Sequence, residues 1–319
     1  MTQTQTQDVL ICGSIAFDTI AVFEGRFRDH ILADNLKSLS VSFFVPSLRK
    51  EFGGCAGNIA YNLKLLGGHP VPVGAIGQDA EDYLQRLRDL GIDTSLVRVV
   101  PDTYTAQCYI TTDLDNSQIA SFHPGAMLHS AENDLTGHDA RWAIVSPDAK
   151  DGMFVHAERL KAAGIPFVFD LGQAMPLFDG DDLRRMIAMA AVLTANDYEA
   201  SVIEDRLGRK MPEIAAGLRA AVVTRGAEGA TLYTGGEQVH IPTAPVARVV
   251  DPTGCGDAHR AGLLYGLVND WSLRDACCLA NVMGGFKVAS QGPQNHAPTR
   301  VEIAAVLRLH YGIDAGKLA

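Results

Sequence analysis

One segment of the sequence joins glycines, a carboxylate and the start of a helical pattern in a spacing that suits phosphate chemistry. The segment is Asp251-Pro-Thr-Gly-Cys-Gly-Asp257-Ala-His-Arg-Ala-Gly262. Peptide N–H groups at the start of a helix are unpaired and carry partial positive charge, and glycine lets ligand oxygens approach them closely. We therefore predict an anion site here, with the Asp257 carboxylate placed to hold a hydroxyl beside a phosphate. Taken alone, the segment is equally compatible with an ordinary glycine turn.

Two further glycine-rich segments adjoin regular elements. Gly53-Gly54-Cys-Ala-Gly57-Asn58 precedes a helical pattern, so the Asn58 amide would project from the first turn, where it could pair with a sugar hydroxyl. Thr224-Arg-Gly226-Ala-Glu-Gly229 lies between two strand-like runs. The alternatives for these two segments are a tightly packed helix start and a plain hairpin.

The overall charge limits the partners of such a site. Lys and Arg number 27 and Asp and Glu number 37, which gives a net charge of −10. Nucleic-acid binding needs a basic surface, so we expect no nucleic-acid partner and a phosphate held locally by amides, a few cations or a metal. The sequence contains neither a Walker-type phosphate loop nor a complete dinucleotide-binding glycine pattern.

The cellular setting follows from what the sequence lacks. None of the six cysteines has the spacing of a zinc site, which is typical of reduced thiols. No apolar run approaches the roughly 18 residues that a membrane helix requires. Met1–Gln7 lacks the charged start and apolar centre of a signal peptide. We therefore expect a cytoplasmic protein without a membrane partner.

These segments need a scaffold, and the hydrophobic pattern predicts an α/β one. Val9–Cys12 predicts a buried strand, and from residue 142 onward strand-like and helix-like runs alternate. Such alternation is typical of a mostly parallel sheet with helices on both faces. Asp79 is predicted to cap a helix of residues 80–90.

The early part of the chain differs from this pattern. Segments of about 17–52 and 103–124 predict irregular strands and a hairpin rather than alternating helices. We interpret them as a small β-strand lid within a single domain of residues 8–319, since no linker or repeat separates them from the rest.

Together, the three glycine-rich segments resemble those of the ribokinase-like (PfkB) family of carbohydrate and nucleoside kinases. The Gly-Gly…Asn segment and the Asp-x-Thr-Gly-x-Gly-Asp segment correspond to the two signatures of that family, in the same order. The resemblance extends from Val9 to about Pro298. It implies the ribokinase-like α/β fold and transfer of the γ-phosphate of ATP to an alcohol.

The resemblance also implies roles for the matching residues. It implies that Asp257 is the base and that an anion hole is formed by the amides of Gly254, Cys255 and Gly256. Substrate contacts are implied for Asp18, Gly54, Asn58 and Asp170. Nucleotide contacts are implied for Asn196, Thr224, Arg225, Gly226, Gly229 and Asn281.

The implied cofactors are ATP and Mg²⁺, with Glu199 ordering water around the Mg²⁺. Asp251 matches a position that in many members helps to bind a monovalent cation, so K⁺ is a further candidate. Pro252, Cys255 and His259 depart from the usual Thr, Ala and aromatic residue of the family. Backbone amides form an anion hole, so Cys255 should be tolerated there, and His259 is expected to pack on a helix face.

The residues of the lid indicate which class of substrate is bound. Gln107 and Phe122 are expected to contact it, because an aromatic ring in the lid could stack on a nucleobase. Residues 116–127 and 169–173 look like those of the adenosine and nucleoside kinase branch. We therefore favour a ribonucleoside phosphorylated on its 5′-hydroxyl, adenosine first. A sugar kinase of the ribokinase or fructokinase type and a non-catalytic nucleoside or sugar sensor are the alternatives, and the protein could be a monomer or a homodimer.

Overall fold

The computed structural model describes residues 7–31, 41–115 and 117–318. The strands, numbered along the chain, are β1 (Asp8–Cys12), β2 (Ala16–Val22), β3 (Ser47–Gly53), β4 (His69–Ile76), β5 (Val97–Val99), β6 (Ala106–Thr112), β7 (Gln118–His123), β8 (Trp142–Val145), β9 (Phe167–Asp170), β10 (Val192–Asn196), β11 (Ala220–Thr224), β12 (Ala230–Thr234) and β13 (Glu237–Ile241). The helices are α1 (Phe27–His30), α2 (Cys55–Leu65), α3 (Glu81–Asp89), α4 (Lys150–Ala163), α5 (Gly180–Met189), α6 (Asp197–Leu207), α7 (Met211–Ala215), α8 (Cys255–Val268), α9 (Leu273–Val288) and α10 (Arg300–Tyr311). Within these described ranges, no helix has both the length and the apolar character to cross a membrane.

Nine strands form the main sheet, in the order β13-β12-β11-β10-β9-β8-β1-β4-β5. The pairs from β11 to β5 are parallel, whereas β12 and β13 pair antiparallel at one edge. Strand β1 shows how the sheet divides two cores: Val9 and Ile11 join a cluster with helices α2, α8 and α9, and Leu10 and Cys12 join one with α4, α5 and α6. A sheet buried on both faces needs apolar residues throughout, as in β8. The predicted α/β fold class is confirmed.

The predicted lid is a second sheet of four strands, in the order β3-β2-β6-β7. Strand β2 pairs antiparallel with β3 and parallel with β6, and β6 and β7 form the predicted hairpin. Residues 32–40 of the predicted lid segment, and Asn116 in the hairpin, lie outside the described residues. Every described residue of β7 is exposed, so this strand covers no core of its own.

The prediction that Asp79 caps helix α3 is wrong. The helix begins at Glu81, and no side chain caps its N-terminus. The Asp79 carboxylate instead accepts hydrogen bonds from the backbone N–H and hydroxyl of Thr105, both at 2.7 Å, and from the Gln107 amide at 3.1 Å. Asp79 therefore attaches the start of lid strand β6 to the main domain.

Candidate active site

The N-terminus of helix α8 is the centre of the site. Gly254 precedes the helix with a φ of 78°, a left-handed conformation that favours glycine, and a Cβ there would lie 2.8 Å from the Cβ of Pro293. The helix begins at Cys255, earlier than Ala258, where the sequence pattern becomes apolar. No described side chain caps this terminus. The Cys255 N–H donates to the Pro252 carbonyl oxygen at 3.1 Å, which leaves the Gly256 and Asp257 amides to an anion.

The early and late signatures meet at Asp257. The Asn58 Nδ2 group, in the first turn of helix α2, donates to Asp257 Oδ2 at 2.8 Å, and both residues are buried. Asn58 Oδ1 accepts from the Nε2 group of Gln294 at 3.0 Å, which fixes the orientation of the Asn58 amide. Gln294 had no predicted role, because it is far from both signatures in sequence and belongs to no motif.

The Gly53-Gly54 segment lies against the same network. The Tyr83 hydroxyl donates to the Gly53 carbonyl oxygen at 2.7 Å and accepts from Gln294 at 2.8 Å. A Cβ on Gly57 would lie 2.0 Å from the Tyr83 hydroxyl oxygen, so glycine at 57 lets this ring approach the helix. Gly54 has a φ of 81° and turns the chain directly into helix α2.

Arg260 is a largely buried cation that sequence reasoning missed. Its Nη2 and Nε atoms lie 2.6 and 2.5 Å from the two carboxylate oxygens of Asp170, and its Nη1 lies 3.7 Å from Asp257 Oδ1. Nη1 also lies beside Gly256, where a Cβ would be only 2.2 Å away. Asp170 was predicted to contact substrate. Because it is fully buried and bonded to Arg260, the structure instead gives it the position of a support for that guanidinium.

Burial and neighbouring charges alter the ionisation of several carboxylates at this site. Burial raises the pKa of Asp257, and the Arg260 charge and the Asn58 hydrogen bond oppose that rise. Burial, with the negative charges of Asp257, Glu51 and Asp251, raises the pKa of Asp18 to about 6. Burial raises the pKa of Asp170 to about 7 against the lowering effect of Arg260. The site therefore holds acids at the margin of ionisation, which is common where proton transfer is controlled.

The lid places two of the predicted substrate contacts on one face and the third on the other. Asp18 pairs across the strands with Cys108, and Cys108 pairs with Phe122, so these side chains share a face. Gln107 is one residue out of that register and donates to Asp79. Gln107 therefore attaches the lid in this structure, and its contact with substrate stays a prediction.

A cavity of about 590 Å³ adjoins the start of helix α8. Thr224, Gly226, Gly229 and Asn281, all predicted nucleotide contacts, line it, together with Cys255, Gly256, His259 and a largely apolar wall from Ala244 to Val249. The Asn281 amide donates to the carbonyl oxygens of Ile241 and Pro242. Arg225 is not among the lining residues, and its Nε donates to the Thr231 hydroxyl at 3.0 Å. The cavity has the size and apolar character that suit a flat heteroaromatic ring.

Asn196 and Glu199 form a reciprocal cap at the start of helix α6. The Asn196 side chain accepts from the Glu199 backbone N–H, and the Glu199 carboxylate accepts from the backbone and side-chain N–H groups of Asn196. Asn196 pairs in register with Thr224, so the cap lies beside the cavity at the carboxyl ends of the strands. A carboxylate has about four lone pairs, and the two bonds from Asn196 leave capacity for a metal-bound water. Glu199 therefore fits the implied Mg²⁺ role.

Comparisons with known proteins agree with this geometry. A family model described as pfkB family carbohydrate kinase matches residues 18–300. The nucleoside kinase of Methanocaldococcus jannaschii is 30% identical, over 85% of this chain and 90% of its own length. The structure of Burkholderia thailandensis nucleoside kinase in complex with inosine is similar with a TM-score of 0.88 and 51% identity, covering 96% of this chain and 99% of the other. The same enzyme in complex with ADP-inosine gives a TM-score of 0.85, 51% identity and coverage of 96% and 97%.

Proposed function

Because the chain belongs to the pfkB family of carbohydrate kinases and is a phosphotransferase acting on a hydroxyl group, we propose that it phosphorylates ribonucleosides. The donor is ATP, and the acceptor is the 5′-hydroxyl of a purine ribonucleoside, adenosine first. Two similar structures support a purine ribonucleoside as the acceptor, since one is a complex with inosine and the other a complex with ADP-inosine. The matched carbohydrate kinases include a probable fructokinase of Arabidopsis thaliana, which is 27% identical over 82% of this chain. This identity is well below the 51% of the nucleoside kinase of Burkholderia thailandensis.

The observation that carries the proposal is the Asn58–Asp257 hydrogen bond at the mouth of helix α8. It joins the two signature segments at one point, beside unpaired helix amides and next to the cavity. A sugar hydroxyl held by the Asn58 segment would then lie close to Asp257, and a nucleotide in the cavity would direct its phosphates at the amides.

In this mechanism the acceptor hydroxyl lies between the Asp257 carboxylate and the γ-phosphate. Phosphoryl transfer has a loose transition state in which the hydroxyl loses its proton late, so Asp257 mainly orients the hydroxyl and then accepts the proton. The amides of Gly256 and Asp257 donate to the charge that develops on the transferred group. Mg²⁺, when bound with the nucleotide, neutralises phosphate charge, and Glu199 would hold one of its waters.

The remaining contacts define the two ligand sites. Asp18 accepts from the ribose hydroxyl pair, and Phe122, on the same face of the lid, packs against the base. Thr224, Gly226 and Gly229 lie against the nucleotide, and Asn281 and His259 flank its adenine ring within the cavity. Asn196 faces the phosphates from the start of helix α6.

The direct test is ADP formation with adenosine, inosine, guanosine, cytidine, ribose and fructose, each with and without Mg²⁺. We expect Mg²⁺-dependent turnover with the purine ribonucleosides. Turnover with ribose or fructose alone would replace the proposal by the sugar kinase alternative. Binding of nucleosides without turnover would identify a non-catalytic sensor.

Asp257→Asn tests the base. An asparagine keeps the size of the side chain but cannot accept the proton, so we expect turnover to fall by at least about 10²-fold. ATP binding, measured by calorimetry, should persist, because the amides and the cavity are unchanged. Asp205→Asn, at an exposed acid on helix α6, is the matched control. Near-normal turnover of Asp257→Asn would refute the assignment.

A further inference from the structure

The predicted monovalent-cation site at Asp251 contains a side chain that does not fit it. The Lys287 Nζ atom, at the end of helix α9, donates to the Asp251 carbonyl oxygen at 2.9 Å and to the Ser290 carbonyl oxygen at 3.0 Å. Lys287 has no exposed surface. A K⁺ ion bound to the Asp251 carbonyl oxygen would have to share this oxygen with an ammonium group that is already bonded to it.

Both oxygens of the Asp251 carboxylate also have hydrogen-bond donors. It accepts from the backbone N–H groups of Thr253 and Gly292, both at 2.9 Å, and Arg49 of the lid lies 3.9 Å from it. The side chain of Asp251 therefore shapes the turn and the loop around it. Each of its two oxygens accepts one hydrogen bond from a backbone N–H.

A buried ammonium bonded to carbonyl oxygens has the charge and the oxygen ligands of a small monovalent cation. The carbonyls at the end of helix α9 carry partial negative charge, and a cation there is favourable. Burial and the Arg49 charge lower the pKa of Lys287, while the nearby Cys255, Asp251 and Glu51 oppose that fall. Two of its three N–H groups donate to carbonyl oxygens at ordinary hydrogen-bond distances, which satisfies most of what a buried ammonium requires.

The bonded carbonyls belong to the segments that hold the anion hole. The Asp251 N–H donates to the Val288 carbonyl oxygen, and the Cys255 N–H donates to the Pro252 carbonyl oxygen at 3.1 Å. Hydrogen bonds thus connect the end of helix α9 to Asp251, and Asp251 lies four residues before the start of helix α8. A charge that fixes the position of Asp251 therefore also fixes the position of the amides at the start of helix α8.

We propose that the Lys287 ammonium is a built-in cation that positions the anion hole, so that phosphoryl transfer by this protein needs no added monovalent cation. Lys287 is a positioning residue, because it acts through the backbone of residues 251–256. The inference rests on the proposed anion site at helix α8.

The first experiment compares initial rates of the intact protein in choline, sodium, potassium and ammonium chloride at constant ionic strength. We expect rates that agree within about twofold, since the site is already charged. Activation by K⁺ of tenfold or more over choline would overturn the proposal.

The second experiment uses Lys287→Met and Lys287→Ala, with Lys161→Met on the exposed side of helix α4 as control. We expect kcat of both Lys287 variants to fall on the order of 10²-fold, because a shift of about 1 Å in a catalytic group can cost this much. In Lys287→Ala, which leaves room for an ion, K⁺ or NH₄⁺ should restore part of kcat, and choline should not. Unchanged kcat in Lys287→Met, or folded Lys287→Ala that K⁺ leaves inactive, would overturn the proposal.

Thermal unfolding of the same variants provides a readout that needs no substrate. We expect K⁺ to raise the Tm of Lys287→Ala above its value in choline and to leave the Tm of the unaltered protein unchanged. This result would support the cation role even if the substrate assignment failed. If neither variant folds, the rates of the unaltered protein in the four salts decide the question.

Discussion

At the scale of single residues, the site depends on keeping Asp257 ionised in a buried position. Asn58 and Cys55 face it from helix α2, Asp18 from the lid and Arg260 from its own helix, with Asp170 beyond Arg260. Arg260 is the positive charge nearest to this carboxylate among the described contacts. Its charge offsets part of the cost of burial and favours the form that can accept a proton.

Arg260→Gln should therefore make the acid limb of kcat/KM move to higher pH. Removing the positive charge disfavours the ionised carboxylate, so the pKa of Asp257 rises and a larger fraction is protonated at a given pH. The pH profile with a saturating nucleotide measures the shift. Arg184→Gln, at an exposed arginine on helix α5, serves as control. An acid limb that does not move in Arg260→Gln would show that this guanidinium does not act through Asp257.

Asp18→Asn should stabilise the free protein at pH 7.5 while weakening nucleoside binding. The folded-state pKa of Asp18 is about 6, above its ordinary value of 3.8, so the folded protein holds this proton more tightly. The stability that comes from the protonated form is complete below about pH 4 and is lost as pH rises through about 6. The neutral amide removes that loss, so Tm should rise at pH 7.5 and change little at pH 4.

The same change removes a charged acceptor for the ribose hydroxyls, and KM for the nucleoside should rise by about 10- to 100-fold. Asp89→Asn, at an exposed acid on helix α3, provides the comparison for both measurements. A lower Tm of Asp18→Asn at pH 7.5 would contradict the electrostatic argument.

Sequence reasoning predicted the residues of this site unevenly. Asp257, Asn58 and the glycines belong to short local patterns, in which residue type and spacing have a direct chemical meaning. Arg260, Gln294 and Lys287 act through contacts with residues such as Asp170 and Asn58 that are distant in sequence. No local pattern shows such contacts, because the fold alone brings the partners together. The face of the lid on which Gln107 lies depends in the same way on strand register, which no local pattern shows.

At the scale of elements, helices α8 and α9 pack with little space between their backbones. A Cβ on Gly262 would lie 2.6 Å from the Cα of Ala280, and one on Gly266 would lie 2.8 Å from the Cα of Ala276. The start of helix α8 forms the anion hole. The end of helix α9 carries the Lys287 ammonium, which donates to the Asp251 carbonyl oxygen just before helix α8. Their close approach therefore fixes the geometry of the site as well as the core.

Gly262→Ala should destabilise the protein by about 1–3 kcal/mol, because the methyl group overlaps backbone atoms that cannot rotate away. Gly284→Ala, also within this helix pair, is the matched change, since its Cβ would meet only the Cys255 carbonyl oxygen at 3.6 Å. That change should raise stability by up to about 1 kcal/mol, the usual gain for alanine over glycine in a helix. Denaturant unfolding of both variants is the measurement. Equal effects would exclude close packing at Gly262 as the cause.

The helices and strands were predicted well where they alternate along the chain. They were predicted less well where a side chain can bond either to a helix end or to another element. From residue 142 onward, burial on both faces imposes apolar strands, and this periodicity is readable in the sequence. Asp79 has the residue type of a helix cap, but Thr105 and Gln107 supply better placed donors from the lid. Helix α8 begins before its apolar pattern does, because Cys255 and Gly256 have no hydrophobic signal of their own.

At the scale of the whole molecule, the lid is joined to the main domain by an aromatic cluster. Phe17 on lid strand β2 is buried against Tyr83 of helix α3, with ring centroids 5.6 Å apart, and Phe52 on β3 contacts both rings. Phe17 belongs to the same core cluster as helices α2 and α8. We propose that residues 8–319 unfold as one unit, lid included.

Phe17→Ala should lower the stability of the entire protein by about 3–5 kcal/mol, the usual cost of losing a buried phenylalanine. We expect calorimetry to show one transition that moves to lower temperature. Phe44→Ala is the control, because Phe44 lies in the lid segment with 85% of its surface exposed. A separate lid transition, with the main transition unmoved, would show two independent units.

The carboxylates of Glu51, Asp251 and Asp257 lie close enough to Asp18 to raise its pKa. A nucleoside enters this pocket uncharged, whereas it leaves as a phosphate monoester with close to two negative charges. Repulsion between that phosphate and the surrounding acids disfavours the bound product. We therefore expect the nucleoside monophosphate to dissociate readily and to inhibit only weakly. The same buried carboxylates that lower the stability of the free protein would then favour release of the product.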